Sequence, residues 1–161
     1  MNADRLDHLG LTVSDLDRSL AFWVGALGCA ERGRGVVEWP HLDRLVGMES
    51  TRIEWVELEL PGGGVVELQQ YHRPVGTPVP SGRECDPGRS HLALRVRDLD
   101  RLIGELRRSG VRLGAPDATL LERGAYAGWR AVYAYDPDGW GLELMEPPAS
   151  LDAAGAPGGG G

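Results

Sequence analysis

Two stretches of the chain repeat one alternation of apolar and polar positions. In residues 6–13, LDHLGLTV, the aliphatic side chains fall on one face of a predicted strand and His8, Gly10 and Thr12 on the other. Residues 90–101, SHLALRVRDLDR, match residues 7–18, DHLGLTVSDLDR, at eight of twelve positions. Average composition would give about one match by chance. The chain therefore contains two copies of one module, with a period too long for a solenoid.

Each copy continues into a predicted helix. Asp15 and Asp98 are equivalent in the repeat and are candidate N-caps. Gly28 and Gly110 stand where a left-handed glycine commonly ends a helix. Apolar residues follow both caps at helical spacing: Leu16, Leu20, Trp23 and Leu27 in the first copy, and Leu99, Leu102, Ile103 and Leu106 in the second.

Strand-like segments follow each helix. They are TRIEWVELEL and VVELQQY in the first half, and RAVYAYD and GLELME in the second; PGGG at 61–64 and PDGWG at 137–141 predict hairpin turns between them. Each half thus reads strand, helix, strand, strand, strand. We predict a first module at 1–71, a Pro- and Gly-rich linker loop at 72–89, a second module at 90–147 and a disordered tail at 148–161.

Composition restricts the partners and the location. The formal net charge is −7, and all 17 basic residues are arginine. The negative net charge argues against nucleic acid as a partner. The lack of lysine excludes Schiff-base chemistry through a lysine side chain. Two cysteines without a CxxC motif indicate neither a disulfide framework nor a thiolate metal site. Without an apolar run long enough to cross a membrane, we expect a cytoplasmic protein.

The last strands of the two halves carry matching carboxylates. Glu67 in GVVELQQ and Glu143 in WGLELME alternate with aliphatic residues, so each glutamate faces away from the core. An off-core Glu on a strand beside an off-core His, occurring twice, favours paired His and Glu ligands over isolated structural residues. His41 and His72 have no counterpart in the other half, and we predict no site role for them.

The combined set suits one divalent metal ion. Two neutral imidazoles and two carboxylates give a neutral site, with nitrogen and oxygen donors acceptable to Zn, Ni, Co, Fe or Mn. We therefore predict that His8, Glu67, His91 and Glu143 bind one such ion, whose open positions take a substrate oxygen. Arg95, Gln69 and Tyr71 share the faces of these residues and are candidate substrate-binding groups.

The residues LDHLGLTVSDLDRSLAFWVGALG, HLALRVRDLDRLIGEL and DPDGWGLELMEP resemble the vicinal oxygen chelate superfamily of glyoxalases, bleomycin-resistance proteins and extradiol dioxygenases. The resemblance extends from residue 5 to 147. It implies an α+β fold of two βαβββ modules that form an open half-barrel cup, with the metal ligands at the four positions named above. It also implies a small-molecule substrate or ligand, and a homodimer.

Two His with two Glu is similar to bacterial glyoxalase I, and this favours a lyase or isomerase that abstracts a proton beside a metal-bound carbonyl. Glu67 or Glu143 would be the catalytic base. Two alternatives remain open. One is a metal-independent binding protein that sequesters a drug or natural product, as bleomycin-resistance proteins do, and the other is an iron-dependent extradiol-type dioxygenase.

Overall fold

The first half of the chain folds into a four-stranded mixed sheet. In the computed structural model, which describes residues 3–78 and 83–151, this half contains β1 (Leu9–Thr12), α1 (Leu16–Leu20), β2 (Ala30–Val37), α2 (Pro40–Val46), β3 (Arg52–Glu59) and β4 (Val65–Arg73). The strand order is β1-β4-β3-β2, with β1 parallel to β4 and the other pairs antiparallel. The parallel pairing places the beginning of β1 beside the beginning of β4, where Leu9 pairs with Val66.

The second half repeats this topology. It contains β5 (His91–Arg95), α3 (Leu99–Arg108), β6 (Thr119–Leu120), β7 (Arg130–Tyr135) and β8 (Gly141–Glu146), in the order β5-β8-β7-β6. Neither sheet closes into a barrel, and the α+β class with two βαβββ modules is confirmed. The first module has α2 as an additional helix between its second and third strands.

The chain divides into two compact units, Met1–Pro80 and Ser81–Gly161. Strand β4 runs through Arg73, two residues into the predicted linker, whose residues 79–82 lie outside the described ranges. A short 3-10 turn occupies Ala149–Leu151, within the tail predicted to be disordered, and residues 152–161 are not described. None of the helices in the described ranges has the length and apolar character that a bilayer crossing requires.

Each sheet buries one face. In the first half the aliphatic side chains of β3 and β4 are buried, and α1 packs against β4; in the second half α3 packs against β8. The fully buried residues of these strands are Val56, Leu58, Val66, Leu68, Leu142 and Leu144. Because side chains alternate along a strand, Glu67 and Glu143 each lie on the face of their sheet opposite to this buried face.

The first helix differs from the regular α-helix predicted for it. After Leu20 the chain continues as π-helical turns over Ala21–Ala26. The adjacent Phe22 and Trp23 are both buried, and their rings meet edge to face with centroids 5.8 Å apart. Neighbouring residues of an α-helix point about 100° apart, so the wider turns accompany the burial of two consecutive aromatic rings.

The predicted helix ends and hairpins are confirmed, and one of the two predicted caps is wrong. Gly28 and Gly110 both have φ of 74°. The Asp15 side chain accepts a hydrogen bond from the Arg18 N–H at 2.9 Å, whereas Asp98 has φ of 54° and no side-chain cap. At that helix start the Leu99 N–H donates instead to Glu146 at 2.9 Å. A left-handed backbone at residue 98 accompanies this replacement of the cap by a carboxylate from β8.

Candidate functional site

The first candidate pair is His8 with Glu67. His8 directly precedes β1, and Glu67 on β4 lies in register with Gly10, which presents no side chain between them. The imidazole Nε2 is 4.0 Å from Glu67 Oε1, and the two side chains are 38% and 16% exposed. On its other edge, the imidazole Nδ1 is 2.9 Å from Oδ2 of Asp7. The pair is thus accessible, with Nε2 turned toward the carboxylate.

Acidic groups surround His8 and raise its pKa. The hydrogen bond to Asp7 is the main cause; burial opposes it, and the charges of Glu67, Asp7 and Glu57 add to it. The same hydrogen bond lowers the pKa of Asp7. Glu57 lies on β3 directly opposite Glu67, and the side-chain amide of Gln69 donates a hydrogen bond to Glu67. This face of the first sheet therefore carries two neighbouring carboxylates and one imidazole.

The second candidate pair is His91 with Glu143. His91 opens β5, and Glu143 on β8 lies in register with Ala93, the repeat equivalent of Gly10. The imidazole Nε2 is 3.4 Å from Glu143 Oε2, and the side chains are 43% and 23% exposed. The two pairs are therefore built from matching elements at matching registers.

Tyr133 distinguishes the second pair from the first. It lies on β7 opposite Glu143, where the first half has Glu57 opposite Glu67. Its hydroxyl is 3.3 Å from Nδ1 of His91, and the two rings meet at 71° with centroids 5.3 Å apart. Burial is the main cause of a raised pKa of Tyr133, with smaller contributions from Glu143, Glu84 and Tyr135. A protonated phenol thus replaces a carboxylate in the second half.

The predicted substrate-binding residues have unequal surroundings. Gln69 donates to Glu67, and Tyr71 is partly buried in register with Ile53. Arg95 lies over the Trp129 ring, 5.6 Å from its centroid, and donates to the Leu151 carbonyl at 3.5 Å. Gln69 is therefore directed toward a predicted ligand, whereas Arg95 is directed toward Trp129 and Leu151.

The two histidines excluded by the repeat lie elsewhere. His41 is near Trp39, with ring centroids 5.1 Å apart, and His72 Nε2 is 3.0 Å from Glu54 Oε2. Each of these residues has its own local partner, distinct from the two candidate pairs.

The described residues bring the four predicted ligands together as two pairs. Across residues 3–78 and 83–151 there is no group of three or more His, Cys, Asp or Glu side chains with metal-binding spacing. Each pair nevertheless presents one imidazole nitrogen and one carboxylate oxygen toward each other, while the second ring nitrogen has a partner of its own. Outer partners of this kind orient histidine ligands in metal sites, so the donor chemistry of each pair fits half of a four-ligand site.

Three residues beside the two pairs are not predicted from the sequence: Glu57, Tyr133 and Asp7. Glu57 and Tyr133 each stand ten residues before a predicted ligand, Glu67 or Glu143. Extending the comparison of the two halves to β3 and β7 would have found both. Ser90 occupies the position equivalent to Asp7, so the repeat does not indicate a site role for Asp7.

Trp55 forms an aromatic wall on the same face as Glu57. Its ring lies along Gly33 and Gly35 of β2: a Cβ atom added to Gly35 would be 3.0 Å from the ring, and one added to Gly33 would be 3.8 Å away. A separate crevice of about 660 Å³ is lined by residues 119–126 and contains none of the paired side chains in its lining.

Comparisons with known proteins agree with this fold. The sequence is 34% identical over 150 residues to 2-epi-5-epi-valiolone epimerase from an Actinomyces species, covering 88% of this chain and 79% of the relative. A glyoxalase family protein from Bacillus cereus has a TM-score of 0.79 at 21% identity, with 92% of this chain and 99% of that chain covered. The fosfomycin resistance protein FosX from Listeria monocytogenes, solved with Mn(II) and sulfate, has a TM-score of 0.58 at 16% identity, covering 94% and 98%.

The family assignment rests on nearly the whole chain. Residues 5–144 match the family model, and this range includes both His and Glu pairs and every strand except the last two residues of β8. The protein belongs to the Glyoxalase/Bleomycin resistance protein/Dioxygenase superfamily.

Proposed function

We propose that the protein is a divalent-metal-dependent isomerase that removes a proton beside a substrate carbonyl and returns it. One observation carries the proposal: a His and Glu pair occurs twice at equivalent positions, with the imidazole Nε2 facing the carboxylate. The 34% identical relative is an epimerase by name. Epimerisation beside a carbonyl requires the removal and return of a proton, as does the glyoxalase I-like reaction predicted from the sequence.

The ligands that we propose for the metal are His8, Glu67, His91 and Glu143. Neutral imidazoles and carboxylates suit Zn, Ni, Co, Fe or Mn, and two carboxylates balance the charge of a divalent ion. Held by these residues, such an ion would polarise a substrate carbonyl and would stabilise negative charge beside it.

The groups that transfer the proton in this proposal are the two glutamates. Glu67 and Glu143 are partly shielded from solvent, at 16% and 23% exposure, and their carboxylates are suited to general acid and base catalysis. An epimerase must take the proton from one side of a carbon and deliver it to the other. Two glutamates from two modules supply one group for each step: one carboxylate takes the proton, and the other, protonated from solvent, delivers a proton to the opposite face. The amide of Gln69 orients Glu67.

The substrate class that we propose is a small hydroxylated ketone related to the one in the relative's name. Glu57 and Gln69 provide hydrogen-bonding groups beside Glu67, and Tyr71 provides another further along β4. Arg95, the candidate for binding an anionic group, lies over Trp129 and donates to a backbone carbonyl. These contacts favour a neutral hydroxylated substrate over one that depends on Arg95 to bind a carboxylate or phosphate.

Metal content and solvent exchange test the proposal together. The metal in the purified protein is identified by mass spectrometry, and deuterium uptake from D2O is followed by NMR. The two substrates are 2-epi-5-epi-valiolone and the adduct of methylglyoxal with glutathione. We expect metal-dependent uptake at the carbon beside the carbonyl, which a chelator abolishes. Protein that binds none of the five metals and exchanges neither substrate would contradict the proposal.

A metal-independent binding protein is the second candidate, because no three metal-binding side chains cluster among residues 3–78 and 83–151 and because Trp55 forms an aromatic wall. Tight binding of a planar ligand by chelator-treated protein, without exchange or turnover, would favour it. Oxygen uptake with a catechol and Fe(II) under reducing conditions would favour the dioxygenase instead.

A further inference from the structure

We infer that Tyr133 and Asp7 are positioning residues that hold the imidazoles of His91 and His8 with a proton on Nδ1 and a free lone pair on Nε2. This inference rests on the proposed function for its consequence, which is metal affinity. The contacts of the two Nδ1 atoms are independent of any reaction.

The contact of Tyr133 is the longer of the two, but it is better shielded from solvent. Its hydroxyl is 3.3 Å from Nδ1 of His91, and its ring stands edge to face with the imidazole. The backbone carbonyl of Tyr133 accepts a hydrogen bond from the Gly114 N–H at 2.7 Å, and a Cβ atom added to Gly114 would be 3.0 Å from the Tyr133 Cβ. Gly114 therefore packs closely against the backbone and Cβ of Tyr133, and this fixes the base of the side chain.

The direction of these hydrogen bonds decides which nitrogen can bind a metal. In a neutral imidazole one nitrogen carries the proton and the other a lone pair, and the partner of one nitrogen sets the state of the other. If Nδ1 of His91 donates to the Tyr133 oxygen, Nε2 keeps its lone pair for a metal ion. The Glu143 carboxylate, 3.4 Å from Nε2, only accepts hydrogen bonds and favours the opposite tautomer, so the Tyr133 contact has to outweigh it. A phenol donating to Nδ1 would leave the proton on Nε2 and block that donor atom.

Asp7 performs the same task for His8 with a different group. An ionised carboxylate only accepts hydrogen bonds, so the contact of 2.9 Å between Asp7 Oδ2 and His8 Nδ1 requires the proton on Nδ1. The Asp7 side chain is 78% exposed, whereas Tyr133 is partly buried. Solvent competes with an exposed ionic contact, so we expect the loss of Tyr133 to disturb its histidine more than the loss of Asp7.

The test uses Tyr133→Phe and Asp7→Ala in the full chain. Long-range 1H–15N spectra of metal-free, 15N-labelled protein at alkaline pH report the tautomer of each imidazole. Wild-type His8 and His91 should carry the proton on Nδ1, and Tyr133→Phe should shift His91 alone toward the other tautomer. In calorimetric titrations with Zn²⁺ or Mn²⁺, Tyr133→Phe should raise the dissociation constant about tenfold, and Asp7→Ala should raise it less.

Matched substitutions control for structural damage. Tyr126→Phe removes a hydroxyl from an exposed tyrosine that packs on Trp129, and Asp4→Ala removes an exposed carboxylate three residues before Asp7 in the sequence. Both should retain wild-type spectra and affinity, and thermal midpoints confirm that all variants are folded.

Wild-type His91 with its proton on Nε2, or a Tyr133→Phe protein with unchanged tautomer and affinity, would overturn the inference. If the tautomer shifts but wild-type protein binds neither ion, the proposed function fails and the positioning role of Tyr133 stands.

Discussion

Glu67 and Glu143 occupy equivalent positions but have different neighbours. Glu67 accepts from Gln69 and faces the carboxylate of Glu57, whereas Glu143 faces the phenol of Tyr133. Like charges directly opposite one another on neighbouring strands are unfavourable, and a phenol beside a carboxylate avoids this cost. The two glutamates are therefore not interchangeable, and we expect the two variants below to differ in degree.

At the residue scale, we predict that Glu67→Gln and Glu143→Gln each lower turnover by about 100-fold or more, because a neutral amide cannot accept the substrate proton. The Michaelis constant should change less than kcat. Steady-state kinetics on the substrate identified by deuterium exchange measure both. Glu49→Gln, in an exposed loop, is the matched control and should keep the wild-type rate. Wild-type turnover in both test variants would exclude the proposed proton transfer.

At the scale of secondary structure elements, β2 and β3 fit together through Trp55 and two glycines. A Cβ atom at Gly35 would be 3.0 to 3.1 Å from three atoms of the indole ring, so the ring has to move if residue 35 gains a side chain. Gly10 on β1 offers a contrast, because a Cβ atom there would have no heavy atom within 4 Å.

We therefore predict that Gly35→Ala lowers the free energy of unfolding by about 1 to 2 kcal/mol through overpacking, and that it shifts the tryptophan emission. Gly10→Ala should be neutral, or stabilising by up to about 1 kcal/mol, because alanine restricts the unfolded chain. Urea unfolding followed by fluorescence measures both quantities. If the two variants were equally stable, the indole would not be seated against β2 as described.

The helix starts show which features of an element can be predicted from sequence. The repeat correctly predicts where both helices begin, and it places an aspartate before each. It does not predict that Leu16 N–H donates to Gln70 and Leu99 N–H to Glu146, both at 2.9 Å. Gln70 and Glu146 are more than 45 residues away along the chain, and their role depends on the parallel pairing of β1 with β4 and of β5 with β8. Local capping rules contain no information on such contacts.

The candidate site shows the same difference between features that sequence patterns predict and contacts that depend on the fold. The alternation of polar and apolar residues, taken with the repeat, was sufficient to predict that His8 lies near Glu67 and His91 near Glu143. The partner of Nδ1 in each imidazole could not be predicted. Tyr133 contacts His91 from another strand of the sheet, and the contact of Asp7 with the adjacent His8 depends on how the two side chains are oriented. The surroundings of Arg95 could not be predicted either, because Trp129 and Leu151 lie far from it along the chain.

At the scale of the whole molecule, two similar units each contain one His and Glu pair. Two ligands hold an ion weakly compared with four, so the proposal requires the pairs to act jointly. A homodimer, which the resemblance also implies, leaves the number of pairs per chain unchanged. The number of ions bound per chain therefore separates joint action from two independent sites.

We predict one divalent ion per chain in the wild-type protein and almost none in either His8→Ala or His91→Ala. Saturating metal at 100 times its dissociation constant should stabilise the wild-type protein by about 2.7 kcal/mol, and both variants should lose this stabilisation. His41→Ala, at a histidine outside the pairs, should keep it. Calorimetric titration with Zn²⁺ and urea unfolding with and without the ion provide the measurements. If each variant retained half of the wild-type stoichiometry, the pairs would bind separately, and a single four-ligand centre would be ruled out because each module would hold its own ion.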